Sequence, residues 1–182
     1  MRVLKEAGHT SGGRVVALGM FDGVHLGHQA LLREAVRLAR ELGVPARACT
    51  FDRHPLEVIA PERVPAQLTT LEEKTRKIAA LGLDELLILP FNRKEADTEP
   101  EEFLAWLRET ADLKAVVAGW NYTFGRGGRG NAELLIRDGQ EHGYLVRIMD
   151  PVRTPEGEVI SSSLIREKMM QGDAETARKL LG

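Results

Sequence analysis

Residues 15–28 read Val15-Val16-Ala17-Leu18-Gly19-Met20-Phe21-Asp22-Gly23-Val24-His25-Leu26-Gly27-His28. Four apolar residues run into a glycine-rich turn, and an amphipathic stretch, Leu31 to Leu42, follows. That order reads as strand, turn, helix. His25 and His28 stand at the helix entrance, where free backbone N–H groups and the helix dipole favour anions.

Outward from this unit the alternation continues. Ala46–Phe51 reads as a second strand, then Leu86–Leu89, Ala115–Gly119 and Tyr144–Met149. Between them, Thr70 with Glu73 forms a capping box that opens a helix to Leu81. Pro100 suits the first turn of a helix with Phe103, Leu104 and Leu107 on one face. Asn131 to His142 is a further helix, and Ser163–Gln171 and Ala174–Leu181 close the chain. Asp52–Gln67, broken by three prolines, reads as a long loop, and Asn92–Glu99 as polar and irregular. About five strands alternating with helices predict an α/β fold: a Rossmann-like, doubly wound parallel sheet flanked by helices. Residues 1–182 are expected to form one domain. In such sheets ligands bind beyond the carboxyl ends of the strands. The turns holding His25, His54, Asn121 and the Ser161 cluster should therefore converge on one edge.

Composition narrows the function classes. A formal net charge of −2 argues against a strong electrostatic partner such as nucleic acid or an acidic membrane. The single cysteine, Cys49, excludes an internal disulfide and a cysteine-rich metal site, and its apolar neighbours suggest a buried structural thiol. With no signal-like or membrane-spanning run, a cytoplasmic location is expected. His9 and His142 have no companions and receive no role, and Trp106 is read as core.

Four segments carry candidate chemistry. His25 and His28 can share one face of the helix entrance and donate to phosphate oxygens; as plain turn residues they would do nothing of the kind. In Ile160-Ser161-Ser162-Ser163-Leu164-Ile165-Arg166, hydroxyls, amide groups and a guanidinium could clamp β- and γ-phosphates, although one cap and a surface arginine would also explain part of it. Gly119-Trp120-Asn121-Tyr122-Thr123-Phe124-Gly125 precedes a glycine–arginine loop with Arg126 and Arg129. Residues 125–130 match G-x-G-x-x-G formally, but they follow a later strand, so a flap over a phosphorylated acceptor fits better than a dinucleotide turn. Thr50-Phe51-Asp52-Arg53-His54-Pro55 ends the second strand and can face the same crevice.

Taken in order, these four motifs resemble the FMN adenylyltransferase module of bacterial bifunctional riboflavin kinase/FMN adenylyltransferases (FAD synthetases), within the His-x-Gly-His nucleotidyltransferase superfamily. Gly19–His28 is similar to that family's Phe-Asp-Gly and His-x-Gly-His element, Thr50–Pro55 to its Thr-Phe-Glu-Pro-His-Pro element, Gly119–Gly125 to its Gly-x-(Asp/Asn)-(Phe/Tyr)-x-Phe-Gly element, and Ile160–Arg166 to its Ile-Ser-Ser-Thr-x-Ile-Arg element. Asp52-Arg53 replaces Glu-Pro and Ser163 replaces threonine. The resemblance implies transfer of AMP from ATP to FMN with Mg²⁺, giving FAD and pyrophosphate. It implies catalytic roles for His25, His28, Ser162, Ser163 and Arg166. It implies an ATP site that adds Gly19, Phe21, Asp22, Gly23, Gly27 and Ser161. The FMN site would comprise His54, Pro55, Asn121, Tyr122, Phe124, Gly125, Arg126 and Arg129. The resemblance also implies that the riboflavin kinase half is absent. A nucleotidyltransferase with another nucleotide or acceptor, and a non-catalytic flavin- or nucleotide-binding regulator, remain the alternatives.

Overall fold

The computed structural model describes residues 1–6, 8 and 11–182. His9, given no role above, lies outside the described residues. Six parallel strands form one sheet: β1 (Arg2–Leu4), β2 (Arg14–Leu18), β3 (Ala46–Phe51), β4 (Glu85–Leu89), β5 (Leu113–Gly119) and β6 (Leu145–Met149). Their order is β1-β4-β3-β2-β5-β6. The chain thus moves outward on one side of β2 and then crosses to the other side, placing a topological switch beside β2. The helices are α1 (Leu26–Leu42), α2 (Leu56–Ile59), α3 (Leu71–Ala80), α4 (Arg93–Asp97), α5 (Pro100–Ala111), α6 (Ala132–His142), α7 (Ser162–Met170) and α8 (Ala174–Leu181).

The doubly wound α/β expectation holds, with one strand more than expected. β1 has only three residues and pairs at the sheet edge with β4, so it presents no periodic run to read. The segment 52–67 is also less irregular than expected: α2 and a 3-10 turn at Pro61–Arg63 interrupt it. α4 does the same within 92–99.

β2 shows why the sheet is covered on both faces. Every residue of it is buried. Val15 and Ala17 enter a cluster with Leu32 and Ala35 of α1 and Ile78 of α3. Val16 and Leu18 enter another with Leu104 and Leu107 of α5 and Leu135 of α6. Side chains alternate across a strand, so the unbroken apolar run Val15–Leu18 needs helices on both sides. A third cluster joins Ile160, Leu164 and Ile165 to Ala177 and Leu180, with Leu26 and Leu68 packed against it. It seats α7 and α8 beside the entrance of α1. Cys49 and Trp106 pack against the second cluster, as expected of core residues. Burial pushes the Cys49 thiol up to about 12, so it is an inert packing group. Among the described residues no helix is long and apolar enough to cross a membrane.

Candidate active site

The turn after β2 is wound tightly. Phe21 and Val24 adopt left-handed backbone, with φ of 52° and 47°, on either side of Gly23 at 82°. For a β-branched residue such as Val24 this is an outlier, of the kind that concentrates at functional turns. Two lysines of α3 hold the turn by its carbonyls: Lys74 Nζ donates to Met20 C=O at 3.0 Å and Lys77 Nζ to Gly23 C=O at 3.2 Å. Thr50 Oγ1 donates to the same Met20 C=O at 3.0 Å.

His25 caps α1. Its Nδ1 accepts the backbone N–H of His28 at 3.3 Å. That acceptor role places the ring proton on Nε2. The two imidazoles stack with centroids 3.6 Å apart, and the edge of Phe21 meets His28 at 5.4 Å. The stack needs space over Gly27, where an added Cβ would lie 3.1 Å from the His25 ring and 3.4 Å from Ile160 C=O. Burial lowers His25 to about 4, against a smaller raising effect of Asp22. Burial, then the neighbouring His25 and the Lys74 charge, hold His28 well below the ordinary histidine value. Both rings are therefore neutral near pH 7, and His28 Nδ1 is buried with no hydrogen-bond partner among the described residues.

Asp22 ties distant segments together. Its carboxylate accepts the N–H groups of Leu68 at 3.0 Å and Thr69 at 3.2 Å. It also pairs with the Arg166 guanidinium, whose Nε donates to Ala66 C=O. Ser162 Oγ donates to Asp22 C=O at 3.0 Å. Ser161, the N-cap of α7, accepts from the Leu164 N–H, and Ser163 is exposed. Thus three segments far apart in sequence, 19–28, 66–69 and 161–166, meet at one carboxylate.

His54 belongs to the same neighbourhood. Burial lowers its value first, then the charge of Arg166, with Asp22 and Glu57 acting in the opposite sense and Lys74 lowering it further. Its Nδ1 accepts the Leu56 N–H at 3.1 Å, which starts the local turn over Pro55. Asp52 accepts the Phe91 N–H at 2.9 Å and lies beside Arg53. His54, Asp52, Asp22, Thr69 and Lys74 line one cleft.

Several expected contacts are placed differently. Phe21 is fully buried, so its ring supports His28 rather than facing a ligand. Asp22 and Arg166 engage each other. Phe124 is buried against Phe103, and Tyr122 stacks on Phe124 at 5.8 Å. Of Asn121, Tyr122, Phe124 and Gly125, assigned to FMN, Asn121 alone is exposed. Arg126 and Arg129 both pair with Glu99 at the start of α5, and Phe124 bridges Gly130. The expected flap is thus fastened at its base. The reading of the sequence passed over Lys74 and Thr69. Lys74 could have been found: it lies four residues before buried Ile78, a lysine on the apolar stripe of an amphipathic helix.

The fold and this cluster define a doubly wound α/β protein whose polar turns gather at the carboxyl edge of the sheet. The FAD synthetase family model matches residues 8–164, and the chain belongs to that family. It is 37% identical over 172 residues to the bifunctional riboflavin kinase/FMN adenylyltransferase of Listeria monocytogenes, covering 93% of this chain and 54% of the relative. It is 36% identical over 169 residues to the protein of the same name from Bacillus subtilis, covering 92% and 53%. The chain spans about half the length of these two relatives. A relative from Geobacillus thermodenitrificans, 40% identical over 177 residues, is covered over 93% of its length. A crystal structure described as a macrolide-efflux protein from Streptococcus pneumoniae superposes with a TM-score of 0.85 at 32% identity, covering 100% of this chain and 60% of the other.

Proposed function

We propose that the chain is an FMN adenylyltransferase, moving AMP from ATP to the phosphate of FMN. A phosphate oxygen of FMN attacks the α-phosphorus in line. The bond from that phosphorus to the bridging β-phosphate oxygen breaks, its electrons leave with pyrophosphate, and FAD remains. The observation that carries this reading is the meeting of the stacked His25–His28 pair, Ser162 and Arg166 around Asp22. Neutral imidazoles fixed by capping and stacking donate to oxygens on which charge develops, and such donors act more strongly in the transition state. Ser162, Ser163 and the start of α7 would hold the β- and γ-phosphates. Arg166 has five N–H donors, of which Ala66 and Asp22 take two, so its fork retains donors for phosphate.

The FMN side would be built from His54 and Pro55 on one loop and Asn121 to Gly125 on the other, with Tyr122 and Phe124 shaping it from beneath. Arg126 and Arg129 would exchange Glu99 for the acceptor. Mg²⁺ bound with the triphosphate would neutralise part of its charge. Among the described residues no three His, Cys, Asp or Glu side chains stand together as a cage. That fits an ion carried mainly by phosphates and water, the usual habit of Mg²⁺, rather than a resident one. The enzyme would work in the cytoplasm on small molecules, without a nucleic-acid or membrane partner.

The test is direct. The purified chain, given FMN, ATP and Mg²⁺, should yield FAD and pyrophosphate in equal amounts by chromatography. CTP, or a small phosphate acceptor, should serve poorly. No FAD from ATP and FMN would end the proposal.

A further inference from the structure

We propose that Lys74 is a phosphate ligand of this cleft, its ammonium taking a phosphoryl oxygen of the nucleotide or of the acceptor. The proposal rests on reading the cleft as a phosphoryl-transfer site. Lys74 is only 6% exposed, and a buried ammonium is costly unless paired. It has three donors, and among the described residues its hydrogen bond is the one to Met20 C=O. Two N–H groups are left over.

The carboxylates that could pair with it are already engaged. Asp22 holds Arg166 and the backbone of Leu68 and Thr69. Asp52 holds the Phe91 N–H and faces Arg53. Both act on Lys74 through space, but Lys74 forms no ion pair among the described residues. Lys77, one turn further along α3, shows what a purely structural lysine does here. It ties Gly23 C=O and stays half-buried. Lys74 instead lines the cleft with Asp52, His54 and Thr69. Its charge is felt by both His28 and His54, the imidazoles of two separate turns. An arriving phosphoryl group would supply the counter-charge that the protein withholds, and a compact ammonium suits a phosphate oxygen.

Calorimetric titration with inorganic pyrophosphate and, separately, with FMN tests this on three chains: wild type, Lys74→Gln and Lys74→Met. A glutamine amide can still donate to Met20 C=O, so a purely structural tie predicts that Lys74→Gln binds like wild type. A phosphate ligand predicts that both variants lose at least tenfold for one probe, with melting temperature nearly kept in Lys74→Gln. Loss for pyrophosphate assigns the nucleotide; loss for FMN assigns the acceptor. Should the variants fail to fold, wild-type protein carrying ¹³C-labelled lysine gives the answer by NMR. The Lys74 signal, assigned by its absence in Lys74→Arg, should shift on adding one of the two probes. Glutamine-variant affinities within twofold of wild type for both probes, or an unmoved Lys74 signal with both, overturn the proposal. Wild type that binds neither probe overturns it as well. Wild type that binds pyrophosphate through Lys74 yet makes no FAD overturns only the proposed activity.

Discussion

At the edge where the strands begin, Glu85 accepts from Arg47 at 2.8 Å and Arg14 at 3.1 Å and pairs with Arg2. At the edge where they end, Lys74, His25 and His28 are also buried or nearly so, but among the described residues Lys74 and His28 are left with unfinished hydrogen bonding. Register brings the first set together: Arg47 and Arg2 both stand opposite Glu85 in neighbouring strands. Burial alone would push the Glu85 carboxyl up, and the arginine hydrogen bonds and charges outweigh it and hold it low. Among the described residues the second edge leaves His28 Nδ1 without a partner and Lys74 with spare donors. Buried charge by itself therefore does not mark a site. Groups left unfinished beside a turn with left-handed backbone do, because a ligand can complete them.

The sharpest way to break this contrast is Glu85→Ala. Removing the carboxylate that buried Arg14 and Arg47 share should cost about 3–5 kcal/mol in urea unfolding, while turnover per folded molecule stays unchanged. A large loss of turnover with stability intact would reverse the two roles.

Acid titration separates the edges next. His25 falls from an ordinary 6.5 to about 4 in the folded chain, so below 6.5 the unfolded chain binds more protons. Stability from this group is present at neutral pH and is lost between those values, by about 3 kcal/mol. Glu85, held below its ordinary 4.5, contributes stability that is lost only as pH falls below that value. Asparagine also caps helices, so His25→Asn should keep α1 and flatten the early part of the acid loss. An unaltered stability profile from pH 7 to 5 in that variant would remove His25 from the account.

His28→Ala should lower turnover about a hundredfold, the usual worth of one fixed donor, with little change in melting temperature. The smallest effect is expected from Arg166→Lys. It keeps the charge but loses the planar fork shared between Asp22, Ala66 and substrate, which should cost about tenfold in kcat/KM. Wild-type kinetics in either variant would count against the site as drawn.

Much of this was readable beforehand, and the limits have physical causes. Strong periodicity and capping made β2 to β6 and the long helices legible; Thr70 and Glu73 form the expected capping box, and Asn131 caps α6. β1 was not legible because three residues set no period. The expectation that turns gather beyond the carboxyl ends of the strands brought the His25 turn and the Ser161 cluster to one edge, where Ser162 does meet the Asp22 turn. It could not show that Asp22 is the hub, because a short acidic residue in a turn is ambiguous until its N–H donors arrive from a segment 46 residues later. Nor could it show that Arg126 and Arg129 turn to Glu99, since surface charges choose partners only after the helices have docked.

The bond from Ser162 to Asp22 spans 140 residues, and that from Arg166 spans 144. A chain made from its N-terminus folds its early segments first. The histidine turn would leave the ribosome long before the serines that face it exist, and distant pairings of this kind form slowly. A nascent chain would thus carry a complete β2–α1 unit before residues 161–166 arrive to tie Asp22 and close the cluster.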